Sequence, residues 1–273
     1  VTIAAALAEA QQVIGRLEAR VLLRHVLRCD EAWLIAHGDD GLASPQSAAF
    51  GVLIARRAAG EPVAYLTGHR EFYGREFVVT PAVLIPRPDT ELLVELALQR
   101  LPANGGDVLD LGAGSGCIGV TIAAEKPQAR VTLVDASADA LDVARENAHR
   151  HAAANTVLLR SDWYAALGDA RYALIVSNPP YIASGDAHLQ QGDLRFEPQS
   201  ALASGADGLA DMRRIVAGAP AHLAAGGWLL CEHGHDQAEA CTMLLQQSGF
   251  AEVFSARDLA GIRRVSGGRR PPS

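Results

Sequence analysis

A chain of 273 residues is long enough for one large domain or two smaller ones, and 49% hydrophobic with 20% charged residues is ordinary for a globular protein. The formal net charge of −7 excludes a global basic field that would draw in nucleic acid, although a local patch is left open. Cys29, Cys117, Cys231 and Cys241 lie far apart with no C-x-x-C pair, which argues against a disulfide framework or a zinc site. No apolar run approaches the roughly 18 residues of a membrane span, and the first residues lack a signal-peptide layout. A monomeric cytoplasmic protein without membrane association is expected.

Residues 1–60 read as a bundle of four or five short helices. Val13, Leu17, Val21, Leu22 and the Leu23–Leu27 stretch recur at helical spacing, interrupted by Gly15. Ser44-Pro45 marks a helix start, and Gly60 before Pro62 a stop. The bundle is either a structural cap or a partner-docking module. Residues 61–86 form the linker: Glu61 to Gly68 reads as extended and turn-rich, and Glu71 to Thr80 as a β-hairpin turning at Gly74. A helix opening at Pro88 or Asp89, with Leu92, Leu93, Leu96 and Ala97 as its apolar stripe, begins the domain over 87–273.

From residue 105 strand and helix alternate, the signature of an α/β fold with a parallel sheet. Strands are expected near 107–111, 130–135, 155–160, 171–177, 227–232, 251–255 and 262–266. Helices are expected near 116–125, 138–151, 208–224 and 236–248. The tail from Gly267 to Ser273, rich in glycine, arginine and proline, reads as disordered.

The first of these strands runs into Asp110-Leu-Gly112-Ala113-Gly114-Ser115-Gly116. Glycines there let backbone approach a ligand closely and aim the following helix N-terminus at it. The next strand ends in Asp135, placed to accept both ribose hydroxyls of NAD or of S-adenosyl-L-methionine alike. Three features favour S-adenosyl-L-methionine. Asp110 is set to face its cationic methionine end, where a pyrophosphate would be repelled. Ser161-Asp162-Trp163 ends the third strand with an acceptor for the adenine amino group and a ring beside it. Asn178-Pro179-Pro180-Tyr181 follows the fourth.

That last element carries the chemistry. Two prolines cannot continue a strand, so the backbone leaves the sheet stiffly with its carbonyls free. Asn178 adds a side-chain carbonyl and Tyr181 an aromatic face. Two acceptors and a ring suit a flat –NH2 group, although a plain strand-to-loop exit uses the same residue types. Asn178, Pro179 and Tyr181 are therefore the candidate catalytic residues.

Taken together these residues resemble the N5-glutamine methyltransferases of the HemK type, which modify peptide chain release factors. The resemblance rests on Glu61-Pro-x-Ala-Tyr-Leu-x-Gly68, Ile85-Pro-Arg-Pro-Asp-Thr-Glu91, the glycine loop and Asn178 to Tyr181, with Phe196-Glu-Pro198, Asp207-Gly-Leu209 and Glu232-His-Gly234 in support. The segment from Ile85 to Glu91 is the most specific. The resemblance implies a seven-stranded, Rossmann-like class I methyltransferase domain behind the helical bundle. It implies Gly112 to Gly116, Asp135, Trp163 and Asn178 at the cofactor, and residues 178–181 at the substrate glutamine. Ile85, Pro86 and Arg87 join them as candidates for substrate contact, with pairing to an acid such as Glu91 the alternative for Arg87. Cys117-Ile-Gly119 and the Arg264-Val-Ser-Gly-Gly tail depart mildly from the family pattern.

Two other classes compete. An N6-adenine methyltransferase would also grip a flat conjugated amine, but it normally needs a basic binding surface or a target-recognition module, and this acidic chain with its small helical N-terminal domain offers neither clearly. An NAD-dependent oxidoreductase would use the same glycine loop. His233 and His235, two apart with no third ligand at sensible spacing, are read as structural rather than as a metal site.

Overall fold

The structure, a computed structural model, describes residues 1–272. The chain divides into two compact units, the first comprising Val1–His69 and the second starting at Arg70.

The first unit holds α1 (Ile3–Ile14), α2 (Arg16–Leu27), α3 (Glu31–Ala36), α4 (Ser44–Ala58) and α5 (Val63–Thr67). Thr2 and Asp30 cap α1 and α3 by accepting the Ala5 and Trp33 amides. The α1–α2 break falls at Gly15, whose φ is 85°, and it resets the helical phase. The buried stripe is therefore Ile3, Leu7 and Ala10 on α1, then Ala19, Leu22 and Leu23 on α2. Val13 and Leu17, counted in one continuous stripe from sequence, are exposed instead. A second correction concerns 61–68, expected to be extended. Pro62 opens and Gly68 closes the one-turn helix α5, whose Leu66 packs into the bundle core.

A hairpin follows, β1 (His69–Phe72) and β2 (Arg75–Val78), turning through Tyr73-Gly74. Both turn residues have positive φ, the geometry a two-residue hairpin loop needs. A 3-10 turn at Pro88–Thr90 leads into α6 (Glu91–Arg100). Then follow β3 (Asp107–Leu111), α7 (Cys117–Glu125), β4 (Arg130–Asp135), α8 (Ala138–Arg150), β5 (Thr156–Arg160) and β6 (Tyr172–Ser177). The unit finishes with α9 (Ala210–His222), β7 (Leu223–Glu232), α10 (Ala238–Gln247), β8 (Ala251–Arg257) and β9 (Arg263–Arg269).

The seven strands lie in the order β5-β4-β3-β6-β7-β9-β8. Pairing is parallel from β5 to β7, and β9 runs antiparallel to both β7 and β8. Helices cover both faces, so the central strands are predominantly apolar, with Asp110 and Ser177 as buried polar exceptions. Alternate residues separate into two cores. Val108, Leu174 and Leu230 face α6 and α7, whereas Leu109, Ile175 and Leu229 face α9 and α10. Strand order reverses between β3 and β6, and ligands of open α/β sheets bind beyond the strand C-termini at such a reversal.

The reading of the tail as disordered is overturned for the described residues, because β9 runs through Gly267, Gly268 and Arg269. Those glycines serve packing. A Cβ on Gly267 would lie 2.5 Å from Leu230 Cδ2 and 2.8 Å from the Leu229 carbonyl oxygen. Gly267→Ala is accordingly expected to destabilise the fold by about 1–3 kcal/mol, as overpacked cores do, read as a lower urea midpoint at unchanged m. Among the described residues no helix is long and apolar enough to cross a membrane.

Candidate active site

A cavity of about 440 Å³ opens beyond the C-terminal ends of β3, β4, β5 and β6. Its floor is the glycine loop. Gly112 and Ala113 both donate to the Val134 carbonyl at 2.9 Å, which fastens the loop to the neighbouring strand. Gly112, Gly114 and Gly116 all have positive φ, so the chain turns three times before α7 without a side chain intruding.

Asp135 stands at the end of β4 on the cavity wall. One of its oxygens accepts the Gly114 amide and the other the Ser137 amide, each at 2.9 Å. A carboxylate offers about four acceptor directions, so two remain for ligand hydroxyls. Asp135→Ala is expected to weaken binding of S-adenosylhomocysteine by about 1.5–3 kcal/mol, the worth of hydrogen bonds to a charged group, measurable by titration calorimetry.

Trp163 follows β5 in a left-handed conformation with φ 49°. Its ring lies over Gly112, where a Cβ would come within 3.4 Å of it. Asp162 is also on the wall, but its carboxylate pairs with Arg214 of α9 at 2.8 Å.

Asp110 departs from expectation. Strand alternation sends its side chain to the same face as Val108, toward α7, so it lies behind the loop and not on the cavity wall. It is fully buried, and its Oδ2 accepts the Gly119 amide of the first α7 turn at 2.9 Å. Burial pushes the carboxyl up to about 7. Gly116 is likewise buried away from the wall, whereas Ala113 and Ser115 line it.

The double-proline exit behaves as its composition dictates. Asn178 and Pro180 line the large cavity, and Pro179 is buried beneath them. Asn178 donates from Nδ2 to the Thr90 hydroxyl at 3.2 Å. Its Oδ1 is buried with no hydrogen-bond partner, an arrangement proteins avoid unless the acceptor is reserved. Tyr181 lines a smaller adjoining cavity of about 60 Å³, with Asn178 and Arg87 at the junction of the two. The Tyr181 hydroxyl lies 3.4 Å from Glu232 Oε1, and burial raises its pKa strongly.

Pro86 and Arg87 reach the wall, but Ile85 does not; its side chain is buried and its amide donates to Glu197 Oε2 at 3.0 Å. Arg87 pairs with that same buried Glu197, not with Glu91. Glu91 instead turns back to accept the Tyr73 amide of the hairpin. His233 is buried between the Gly234 carbonyl at 2.9 Å and Ser266 Oγ at 2.8 Å, and burial lowers its pKa. Among the described residues no group of three or more His, Cys, Asp or Glu is placed to hold a metal.

Three polar residues to which the sequence reading assigns no role support the site. Asn147 on α8 bridges the hairpin to the loop, its amide nitrogen donating to the Val78 and Ser115 carbonyls and its oxygen accepting the Val78 amide. Its signal is an asparagine on the helix face that carries Leu141, Ala144 and Ala148. Thr90 and Glu232 are the others, both polar and both buried.

A reversed parallel sheet, a glycine loop, a strand-end acid and a rigid Asn-Pro-Pro-Tyr exit define a class I, Rossmann-like methyltransferase. Residues 88–197 match the family described as the methyltransferase small domain, and residues 2–68 match the PrmC N-terminal domain. The chain is 58% identical to the release factor glutamine methyltransferase of Bordetella pertussis, over 93% of this chain and 95% of that one. It is 52% identical to its counterpart in Xylella fastidiosa strain Temecula1, over 98% of each. Among solved structures, a methyltransferase from Pyrococcus furiosus superposes with a TM-score of 0.56 at 17% identity, over 80% of this chain and 97% of that one, a likeness of fold. The chain belongs to the release factor glutamine methyltransferase family.

Proposed function

We propose that this chain transfers the methyl group of S-adenosyl-L-methionine to the side-chain nitrogen of the glutamine in the Gly-Gly-Gln motif of a peptide chain release factor. The observation that carries the reading is the buried, unpartnered Oδ1 of Asn178 at the junction of the two cavities. The larger cavity fits the cofactor: Asp135 offers acceptors for ribose hydroxyls, Trp163 a ring, and the glycine loop a close backbone floor. Asp162 stays beside them, with its charge shared by Arg214. When bound, the cofactor supplies an electrophilic methyl on a positively charged sulfur.

An amide nitrogen is a poor nucleophile because its lone pair is delocalised into the carbonyl. Asn178 Oδ1 and the Pro179 carbonyl accept its two N–H bonds and fix its plane, and they favour the positive charge that develops on nitrogen. Tyr181 packs the amide and excludes water. Holding both reactants in attack geometry contributes about 7–11 kcal/mol in well-oriented systems. No strong base is required, because a methylated, protonated amide loses its proton readily to water. Pro86 and Arg87 border the substrate side, and the Arg87–Glu197 pair holds that wall. The acidic charge and scattered cysteines support a monomer acting in the cytoplasm on a protein rather than on nucleic acid.

The test incubates the protein with methyl-labelled cofactor and three substrates: a release factor carrying Gly-Gly-Gln, its Gln→Ala variant, and duplex DNA. Label is expected on the first alone. Label in DNA, or in the Gln→Ala variant, would replace this assignment.

A further inference from the structure

The turn that follows β5 is built around a hydroxyl to which the proposed transfer assigns no part. It runs Ser161-Asp162-Trp163-Tyr164-Ala165-Ala166-Leu167. Ser161 is buried, and its amide donates to the Asp135 carbonyl at 3.0 Å, so the chain is still laced to β4 where the turn begins. The Ser161 hydroxyl donates to the Trp163 carbonyl at 2.7 Å and accepts the Ala166 amide at 3.0 Å. A hydroxyl carries one proton. That proton is engaged inside the turn, so Ser161 reaches the cavity wall with no donor to offer a ligand.

Trp163 stands between these two bonds with φ 49°. An L-residue with a large side chain occupies the left-handed region against steric resistance, so its surroundings must hold it there. Two fasteners do. Ser161 takes the Trp163 carbonyl from one side. On the other, Tyr164 is anchored to α9: its hydroxyl donates to the Ile215 carbonyl at 2.9 Å, and its ring stacks on His222 with centroids 4.8 Å apart. Gly218 makes room for that ring, since a Cβ there would come within 2.6 Å of it. Tyr164 fixes where the corner lies, whereas Ser161 bonds the very residue whose backbone is turned. The consequence reaches the cavity. In this conformation the indole lies over Gly112, 3.4 Å from where a Cβ would sit. A return of Trp163 to an ordinary φ would redirect its Cα–Cβ bond and carry the ring off the glycine loop.

We infer that Ser161 is a positioning residue, whose hydroxyl holds Trp163 in the left-handed conformation and so keeps the indole in place against the cofactor. This rests on the reading that the Trp163 ring lies beside the adenine of S-adenosyl-L-methionine. Ser161 then acts on cofactor affinity through another side chain, without touching the ligand by its own proton.

The experiment compares Ser161→Ala, Ser161→Thr, Trp163→Ala and the double variant Ser161→Ala/Trp163→Ala, each titrated with S-adenosylhomocysteine by calorimetry. Acrylamide quenching is read without ligand in a Trp33→Phe/Trp228→Phe background, which leaves Trp163 as the single tryptophan. Trp163→Ala is expected to weaken binding by about 5–150-fold, the range for removing a base-stacking ring. Ser161→Ala should lose about 5–20-fold, within that range, and its released indole should quench more readily. Ser161→Thr keeps the hydroxyl and should bind within about threefold of wild type. The double variant should bind no worse than Trp163→Ala, because both changes remove the same contact. Should Ser161→Ala not fold, Ser161→Cys takes its place, since a thiol keeps the shape and donates only weakly. Wild-type affinity in Ser161→Ala beside a lower urea midpoint would reduce Ser161 to a structural role and overturn the inference. Unchanged quenching, a loss in Ser161→Thr equal to that in Ser161→Ala, or a further loss in the double variant would each overturn it too. Wild-type affinity in Trp163→Ala would instead remove the reading beneath it.

Discussion

Replacing Asn178 by alanine is expected to lower kcat on the release factor by about 10²–10³, the scale for deleting one preorganised polar group. Cofactor affinity should stay within a few-fold. The separation follows from geometry. Asp135, Trp163 and the glycine loop form their own part of the wall, whereas Asn178 stands at the junction of the large and small cavities. Its free Oδ1 is the one acceptor there that is both buried and unpartnered among the described residues. In the resting protein that atom has given up water without gaining a partner, a cost of about 1–3 kcal/mol. In the proposed reaction a substrate N–H would recover it, and the hydrogen bond would strengthen as positive charge grows on the nitrogen. The loss should therefore fall on kcat and kcat/KM together, which identifies an interaction made mainly in the transition state. Single-turnover kinetics with labelled cofactor checks it. Turnover within threefold of wild type would end this account of the mechanism.

Much of this arrangement is legible in sequence because the sheet imposes strong local rules. Strands buried on both faces must be apolar runs, and glycine or proline must end them. Residues 107–111, 130–135 and 172–177 therefore stand out, and with them the acids and loops at their C-termini. Local rules fail where a side chain's partner is remote. Arg87 looks toward Glu91 by spacing, yet it pairs with Glu197, 110 positions away. Asp110 precedes the loop by two residues, but pleat alternation turns it to the α7 side. The Gly267-Gly268 pair reads as flexible in isolation, although Leu230 and Phe250 leave no room for anything larger.

The second large effect concerns stability. Asp110 and Glu232 are fully buried, and burial raises each carboxyl to about 7 from its ordinary 3.8 or 4.5. Between those limits the folded protein keeps protons that the unfolded chain has released. Stability from these groups is thus complete below about pH 4 and is lost as pH rises through 7, the reverse of an ordinary salt-bridged acid. At about 1.4 kcal/mol for each pKa unit, the two carboxyls cost on the order of 3–5 kcal/mol each at pH 8 before relaxation of their surroundings. Partly buried His151 and buried His233, whose pKa values are lowered, act in the opposite sense as pH rises through about 6.5. They are common to wild type and variants and cancel in the difference. Asp110→Asn and Glu232→Gln should each raise the unfolding free energy at pH 8 by about 2–3 kcal/mol, with gains that shrink toward zero near pH 4. Urea titrations of wild type and both variants at pH 5 and pH 8, without cofactor, read this directly. A gain equal at both pH values would show that the variants repack the core and remove no buried charge. A loss at pH 8 would show that the ionised carboxylates are stabilised by their partners beyond the cost of their burial, Gly119 for Asp110, and Tyr181 and Arg264 for Glu232.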